Sequence, residues 1–244
     1  MLKAVHQPHL GEETSKRRAR EVLFWPEIDK EIEQMVKAYS TCNQNKKRQQ
    51  RETLKPHPTP SRPWQRVGVD IFTFHQRNDL VTVDFYSGWF ELDLLNDTTA
   101  STVISKLKSQ MARDGIPDEL MSDNGPQFCC KQFKLFQQKL GICSGNEFAS
   151  LPQGNGGVER AVEIAKTLMK KSFEDGEDPY LSLLNHRNTP RDTVLGNPAQ
   201  RLMSRRTKTL LPATEELLEP RVVNAERVQE ERKVTTIDPK IYQS

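Results

Sequence analysis

Large apolar residues recur at helical spacing near the start of the chain and at strand spacing further along. Between residues 12 and 39 they come three or four positions apart, which predicts two amphipathic helices with Pro26 in the first turn of the second. Residues 43–63 are polar and contain several basic residues and prolines, a composition typical of a linker. The pattern therefore predicts a small helical module connected to a larger domain.

Three β-rich runs follow the linker and are separated only by short polar turns. They cover residues 67–72, 80–85 and 89–94, and such short connections predict an antiparallel meander. The later predicted elements, in chain order, are a helix over residues 99–113, a strand over residues 119–122, a helix over residues 128–140, a brief strand near Ile142, a helix over residues 158–173, and shorter helices after Tyr180 and near residues 198–203. Three antiparallel strands followed by alternating helices and strands predict an α/β sandwich with a mixed sheet. From about Leu211 the chain is charged and poor in large apolar residues, so we expect an exposed helix or a disordered tail there.

Composition excludes several classes of protein. The 36 Lys and Arg residues nearly balance the 33 Asp and Glu residues, giving a net charge of +3, so overall charge does not indicate nucleic-acid binding. No apolar stretch approaches the roughly 18 residues of a membrane span, and no signal peptide is recognisable. The four cysteines lack a paired spacing. We expect a soluble intracellular protein with reduced thiols and no membrane partner.

Three carboxylates carry the strongest chemical signal. Asp70 lies within the first predicted strand, Asp123 directly follows the fourth, and Glu159 lies in the first turn of the helix after a glycine-rich loop. If the preceding helix returns the fourth strand beside the first, the two aspartates emerge from neighbouring strands and face one site. Three such oxygen ligands suit Mg²⁺ or Mn²⁺, and a pair of these ions supports in-line phosphoryl transfer.

Each acid alone also has an ordinary structural interpretation. Asp70 suits a polar position at a strand end, Asp123 suits a turn, and Glu159 suits a helix N-terminus. The thirty-five residues between Asp123 and Glu159, together with the motifs around them, favour a common site.

Five short motifs occur in a fixed order along the chain. They are Val69-Asp70-Ile71-Phe72, Val83-Asp84-Phe85-Tyr86-Ser87, Ser122-Asp123-Asn124-Gly125-Pro126-Gln127-Phe128, Pro152-Gln153-Gly154-Asn155-Gly156 and Glu159-Arg160-Ala161-Val162. Together they resemble the catalytic core of integrases from retroviruses and gypsy-type LTR retrotransposons, over about residues 2–220. The resemblance implies a ribonuclease-H-like fold, a five-stranded mixed sheet flanked by helices. It also implies that Asp70, Asp123 and Glu159 are catalytic, that they bind Mg²⁺ or Mn²⁺, and that the protein trims and joins DNA ends as a homo-oligomer in the nucleus.

The N-terminal region resembles the His-His-Cys-Cys zinc module that precedes the core in integrases. His6, His9 and Cys42 fall on three ligand positions, but the fourth position holds Tyr39. A tetrahedral structural zinc site needs four N or S ligands, so we expect weakened zinc affinity and local stability. The two histidines are then either surface residues of a relic module or ligands of a weak residual site.

Basic residues lie where the resemblance implies contact with DNA. Arg160, Lys166 and Lys170 belong to the Glu159 helix, and Asn155 belongs to the loop before it. The helical spacing of Glu159, Lys166 and Lys170 puts them on one face, so the lysines are expected to reach DNA phosphates. A second basic run, Lys16-Arg17-Arg18-Arg20, is another expected DNA contact. The competing interpretation is a solvated helix face.

The resulting domain prediction has four parts. These are a degenerate helical module at residues 1–45, a basic and proline-rich linker at 46–63, an integrase catalytic core at 64–205, and a charged, partly disordered tail at 206–244. Ser150 stands where the family usually has a tyrosine, and no sequence after Leu218 resembles the small β-barrel or chromodomain that often ends these proteins. Two functions therefore compete: an integrase-like polynucleotidyl transferase, and a catalytically weak nucleic-acid-binding or assembly module. Decay, domestication and a truncated chain each explain these departures.

Overall fold

The computed structural model describes residues 2–7, 11–39, 60–145, 156–190 and 196–222, which fall into two compact units. The sheet unit is the continuous stretch Leu54–Lys166. The terminal unit joins Met1–Thr53 to Thr167–Ser244, so it combines both ends of the chain. The division into four parts predicted from the sequence stays a prediction.

Strands and helices of the described residues follow the hydrophobic pattern closely. The strands are β1 (Arg66–Phe74), β2 (Arg77–Asp84), β3 (Phe90–Leu95), β4 (Glu119–Ser122) and β5 (Cys143–Ser144). The helices are α1 (Leu2–His6), α2 (Glu12–Arg20), α3 (Ile28–Ala38), α4 (Ala100–Asp114), α5 (Pro126–Cys129), α6 (Lys131–Leu140), α7 (Gly156–Glu174), α8 (Pro179–Arg187), α9 (Pro198–Met203) and α10 (Glu215–Leu218). No helix within the described ranges has both the length and the apolar character needed to cross a bilayer.

The sheet unit is built on five strands in the order β3-β2-β1-β4-β5. β1, β2 and β3 pair antiparallel, while β4 pairs parallel with both β1 and β5. The predicted meander and mixed sheet are confirmed. β1 is the central strand, and it pairs antiparallel on one side and parallel on the other.

Turn and strand residues explain why this sheet forms. His75 and Gln76 join β1 to β2 with φ of 45° and 62°, the left-handed conformation of a tight two-residue hairpin. β2 is buried at six successive positions ending at Asp84, so it lies in the core on both of its faces. Burial of Val69, Leu80 and Phe90, each fully shielded from solvent, stabilises the pairing of the three strands.

Helix ends in the sheet unit obey ordinary capping rules. The Thr99 side chain caps the N-terminus of α4 by accepting a 3.3 Å hydrogen bond from the Thr102 amide. Gly141 closes α6 in the left-handed conformation. The single helix predicted over residues 128–140 is wrong, because Cys130 is extended (ψ 159°) and separates α5 from α6.

The terminal unit packs α1, α2 and α3 around a small apolar cluster. Val5, Ala19 and Ile32 are fully buried in it, and Leu211 joins them with 5% of its surface exposed. An exposed tail starting at Leu211 is therefore a wrong prediction at that residue. Pro26 was also misplaced, because α3 begins only at Ile28, after Glu27 in a left-handed conformation (φ 68°).

Polar contacts join α8 to the N-terminal helices within the terminal unit. The Asn185 Nδ2 donates a 2.6 Å hydrogen bond to Gln7 Oε1, and the Ser182 hydroxyl donates to the Gln7 carbonyl at 3.3 Å. Both α8 side chains are buried. A buried polar face of α8 is thus satisfied by residues from the opposite end of the chain.

Candidate active site

The two predicted catalytic aspartates lie at the same level on neighbouring parallel strands. Val69 of β1 pairs with Ser122 of β4, and the next residues along these strands are Asp70 and Asp123. The carboxyl ends of parallel strands point in the same direction, so both acids lie at the carboxyl end of this paired segment. The crossover through α4 produces the adjacency that the sequence predicts.

Glu159 is brought to this region by close packing of α7 on β1. Gly68, Asp70 and Phe72 alternate onto one face of β1. A Cβ atom on Gly68 would overlap Val158 Cγ2 and lie 2.9 Å from the Phe85 ring, so only glycine permits this approach. Val158 is fully buried, and Glu159 follows it in the first turn of α7.

The far end of the same contact is fixed by Lys166. Its Nζ lies 5.5 Å from the centre of the Phe72 ring, a cation–π distance. Val158 lies over Gly68 and Lys166 lies over Phe72, so α7 runs along β1 with Asp70 between the two contacts. All of these residues belong to the sheet unit.

Electrostatics couples the three carboxylates. Burial raises the pKa of Asp70 above its usual value, and the negative charges of Asp123 and Glu159 raise it further. A 2.7 Å hydrogen bond from the Ile71 amide to Asp70 Oδ1 and the charge of Lys166 oppose that rise. The structure therefore brings Asp70 within electrostatic range of both other acids and of one cation.

Asp123 also has the local role of a turn residue. Its Oδ1 accepts a 3.0 Å hydrogen bond from the Gly125 amide, and its side chain is exposed. Glu159 is exposed in the first turn of α7, a favourable place for an acid. The ordinary structural interpretations of these two acids are thus compatible with their position beside Asp70.

The residue types at this site suit a divalent cation, whereas the present distances between their side chains do not. Three carboxylates supply the hard oxygen ligands that Mg²⁺ and Mn²⁺ prefer. Within the described residues, however, no group of three His, Cys, Asp or Glu side chains is close enough to hold a metal ion. Side-chain movement towards a common point is therefore needed for all three acids to coordinate one ion.

Comparison with known proteins gives consistent matches. The family model of the integrase zinc binding domain matches residues 1–48. An uncharacterized protein of Caenorhabditis elegans is 31% identical over 217 residues, which are 86% of this chain and 17% of that protein. The Gag-Pol polyprotein of woolly monkey sarcoma virus is 33% identical over 203 residues, 78% of this chain and 12% of the polyprotein. The chain thus spans less than a fifth of the length of these relatives.

A solved structure is similar to this chain in its fold. The match is to the simian T-cell lymphotropic virus intasome in complex with PP2A regulatory subunit B56 gamma. It has a TM-score of 0.53 at 21% identity and covers 88% of this chain and 78% of that one. This chain is a retroviral or LTR-retrotransposon integrase-like protein. The ribonuclease-H-like fold predicted from the motifs is confirmed.

The integrase-like chain keeps its predicted DNA-binding residues on the surface where they are described. Arg160 and Lys166 are exposed on α7 in the sheet unit. Lys170 belongs to the terminal unit, where its Nζ lies 3.8 Å from Glu174 Oε1. Asn155 lies outside the described residues.

The predicted zinc ligands of the integrase-like chain are only partly described. His9 and Cys42 lie outside the described residues, and the backbone of His6 is in α1. Tyr39, which occupies the missing ligand position, donates a 3.1 Å hydrogen bond from its hydroxyl to Asp175 Oδ2. This side chain therefore contributes to the terminal unit through a contact that cysteine cannot make.

Two residues of the second basic run are buried, which counts against its predicted contact with DNA. Lys16 and Arg18 are 8% and 3% exposed. Lys16 bonds Glu12 at 2.6 Å, and Arg20 pairs with Asp29 at 2.5 Å. Charges that are buried or paired within the terminal unit are poorly placed to neutralise phosphates.

Gly68, which was not predicted, and Asp84 fix the structure around the site. Gly68 permits the contact between α7 and β1, and its only sequence signal is a glycine inside an apolar strand.

Asp84 is fully buried, and it accepts hydrogen bonds from the Trp64 amide at 3.0 Å and the Ser87 amide at 2.9 Å. Burial raises the pKa of Asp84, while these bonds and those from the Tyr86 amide and the Ser87 hydroxyl favour its ionised form. Asp84 thus fixes the start and end of the β1–β2 hairpin and is not part of the triad.

Proposed function

We propose that the integrase-like chain catalyses polynucleotidyl transfer on DNA. A water molecule would first cleave a phosphodiester near a DNA 3′ end, and the exposed 3′-hydroxyl would then attack a phosphodiester of a target duplex. The observation that carries this proposal is that Asp70 and Asp123 lie at the same level on neighbouring parallel strands. The negative charge of Glu159 also acts on Asp70. The similarity to Gag-Pol polyproteins and to a chain of a viral intasome supports it.

Asp70, Asp123 and Glu159 would hold the Mg²⁺ or Mn²⁺ ions of this reaction. Bound ions of this kind activate an attacking oxygen and stabilise the leaving one. The raised pKa of Asp70 gives its carboxylate a larger gain from a nearby cation than an unperturbed aspartate would have. The protein itself provides no covalent nucleophile in this scheme.

Basic and polar residues of α7 and the preceding loop would position the DNA. Lys166 is held over Phe72 beside Asp70, so its ammonium would lie near a phosphate at the carboxylates. Arg160, Lys170 and Asn155 would make further backbone contacts. We also propose, from the resemblance, that the active form is a homo-oligomer acting in the nucleus, and that zinc binding through His6, His9 and Cys42 is weak.

Strand transfer with purified protein tests the proposal. Labelled DNA duplexes of varied terminal sequence are incubated with a plasmid target and Mn²⁺, using the wild-type chain, Asp123→Asn, and Glu163→Gln as a matched variant on α7 outside the triad. We expect joined products from the wild type and from Glu163→Gln, and none from Asp123→Asn. Equal product from Asp123→Asn and the wild type would contradict the proposal.

A second candidate function is a nucleic-acid-binding or assembly module without turnover. Two observations favour it. Asp123 is exposed and accepts a hydrogen bond within its own turn. Tyr39, at the position of the missing zinc ligand, donates a hydrogen bond to Asp175. Under this alternative, a gel-shift assay gives DNA binding that is equal for the wild type and Asp123→Asn, while neither protein gives joined or trimmed products. Light scattering of the same samples measures the oligomeric state.

A further inference from the structure

A small cavity in the terminal unit has no role in the function proposed above. It has a volume of about 30 Å³ and lies between α2, α10 and the chain after α9. Arg18, Arg206 and Thr209 provide polar lining, and Val22, Leu211 and Leu217 provide apolar lining. This volume corresponds to roughly two water-sized positions.

Arg18 brings a buried charge with an unsatisfied N–H group to this cavity. It is 3% exposed, and its Nη2 donates a hydrogen bond to Asn185 Oδ1. Its Nη1 is buried and has no hydrogen-bond partner among the described residues. Burial lowers the pKa of Arg18 to about 10, so the guanidinium is still charged at neutral pH. A buried guanidinium with an unsatisfied N–H group is costly, which favours binding of an anion at this group.

A second guanidinium lines the same cavity. Arg206 donates to both carboxylate oxygens of Glu21, at 2.6 and 2.5 Å, so it already engages the acid that also lines the cavity. The Arg206 Nε is buried and, like Arg18 Nη1, has no described partner. Two guanidinium groups therefore share one carboxylate, and the lining holds one positive charge in excess.

We propose that this cavity binds a carboxylate carried on a short apolar stem. Guanidinium groups bind planar carboxylates through parallel N–H donors, and the two oxygens of one carboxylate match the two water-sized positions, with the stem directed towards the open side of the cavity. A phosphate ion carries no apolar stem and so gains nothing from the apolar walls of the cavity. The apolar walls formed by Val22, Leu211 and Leu217 suit an aliphatic stem, as in propionate or in an acidic side chain of a peptide.

Thermal unfolding of the full chain, titrated with sodium propionate at constant ionic strength, tests this site. We expect a saturable rise of roughly 3–6 °C in the unfolding midpoint at ten times the dissociation constant. Arg18→Met should abolish the rise. Arg20→Met changes an exposed arginine of the same helix, paired with Asp29, and should keep it.

Two further samples make the outcome decisive. Leu217→Trp fills the cavity while keeping Arg18, so it should also lose the propionate response, and it replaces Arg18→Met if that variant does not fold. Sodium phosphate at the same ionic strength should give less than a third of the propionate shift. No saturable shift, an equal shift in Leu217→Trp, or a phosphate shift as large as that of propionate would each overturn the proposal.

Discussion

Val158 of α7 lies directly against Gly68 of β1, with no room for a side chain on residue 68. This contact sets the distance between the helix that carries Glu159 and the strand that carries Asp70. The position of the third carboxylate relative to the first therefore depends on a residue with no chemistry of its own.

Gly68→Ala should destabilise the protein by about 1–3 kcal/mol, because the added methyl group overlaps Val158 and approaches the Phe85 ring. Chemical denaturation measures this loss. Gly11→Ala is the control, since a Cβ there meets no atom within 4 Å. Val158→Ala in the Gly68→Ala background should recover part of the stability and of any DNA-joining activity. No recovery would show that the overlap with Val158 is not the cause.

Asp70→Asn should stabilise the metal-free protein at neutral pH. The folded-state pKa of Asp70 is raised, so ionisation of this group costs folding free energy once the pH exceeds the unfolded value near 3.8. The advantage of Asp70→Asn should therefore be absent below that pH, grow as the pH rises to the folded pKa, and remain constant above it. Unfolding midpoints measured in chelator across pH 3–8 test this profile.

Asp97→Asn provides a control of opposite sign. Hydrogen bonds from Thr99 lower the pKa of Asp97, so its ionised form favours folding and its replacement should not stabilise the protein at neutral pH.

Saturating Mn²⁺ should reverse the order of the unfolding midpoints of the wild type and Asp70→Asn. An unchanged ranking would contradict a role for Asp70 in holding the ion.

Lys166→Met should separate the electrostatic role of this residue from its packing role. Methionine keeps an unbranched apolar chain near Phe72, so the loss of stability should be only about 0.5–1 kcal/mol, the size of an exposed cation–π interaction. DNA affinity should fall, and the slope of log affinity against log salt should decrease by about 1. Lys108→Met, on α4 of the same unit, is the matched surface control. Equal salt slopes for the wild type and Lys166→Met would exclude a phosphate contact.

Tyr39→Cys should convert the terminal unit from weakly zinc-responsive to strongly zinc-stabilised. The substitution removes the hydrogen bond to Asp175, worth about 0.5–3 kcal/mol, and restores a fourth ligand type at the position implied by the integrase resemblance. We expect a lower unfolding midpoint in chelator and a large rise with equimolar Zn²⁺. Tyr39→Phe loses the same hydrogen bond and should show no zinc response beyond that of the wild type. A wild-type chain as zinc-sensitive as Tyr39→Cys would contradict this prediction.

Asp84→Ala should cost at least about 2 kcal/mol, because the Trp64, Tyr86 and Ser87 amides would lose a buried acceptor. Asp79→Ala removes another buried acid of β2, whose partner Arg77 is 37% exposed and can bond water. Its loss should be smaller. Hydrogen exchange of the three amides reports the effect directly, and unchanged protection in Asp84→Ala would contradict it.

Local elements of this fold were predictable because each is dictated by nearby residues. The predicted helix over residues 99–113 corresponds to α4, and the strand over residues 119–122 to β4. The break at Cys130 was not predictable, since apolar spacing continues through it and the rings of Phe128 and Phe133 pack 5.3 Å apart across it.

The adjacency of Asp70 and Asp123 was predictable, whereas the burial of charged side chains was not. Crossover rules alone bring Asp70 and Asp123 to adjacent strands. The burial of Arg18 depends on Asn185, which is 167 residues away in sequence, and a run of basic residues is more commonly solvated. The contact of Val158 with Gly68 likewise arises only when two distant segments meet.

The union of both chain ends in the terminal unit has a consequence for folding during synthesis. The sheet unit is contiguous, so all of its residues are available once Lys166 has been made. The N-terminal helices are made earlier, but they lack Asn185 and Leu211 until those residues have also been made. Contacts of such large sequence separation form slowly. On the ribosome, the sheet unit should therefore become protease-resistant before the helices that precede it.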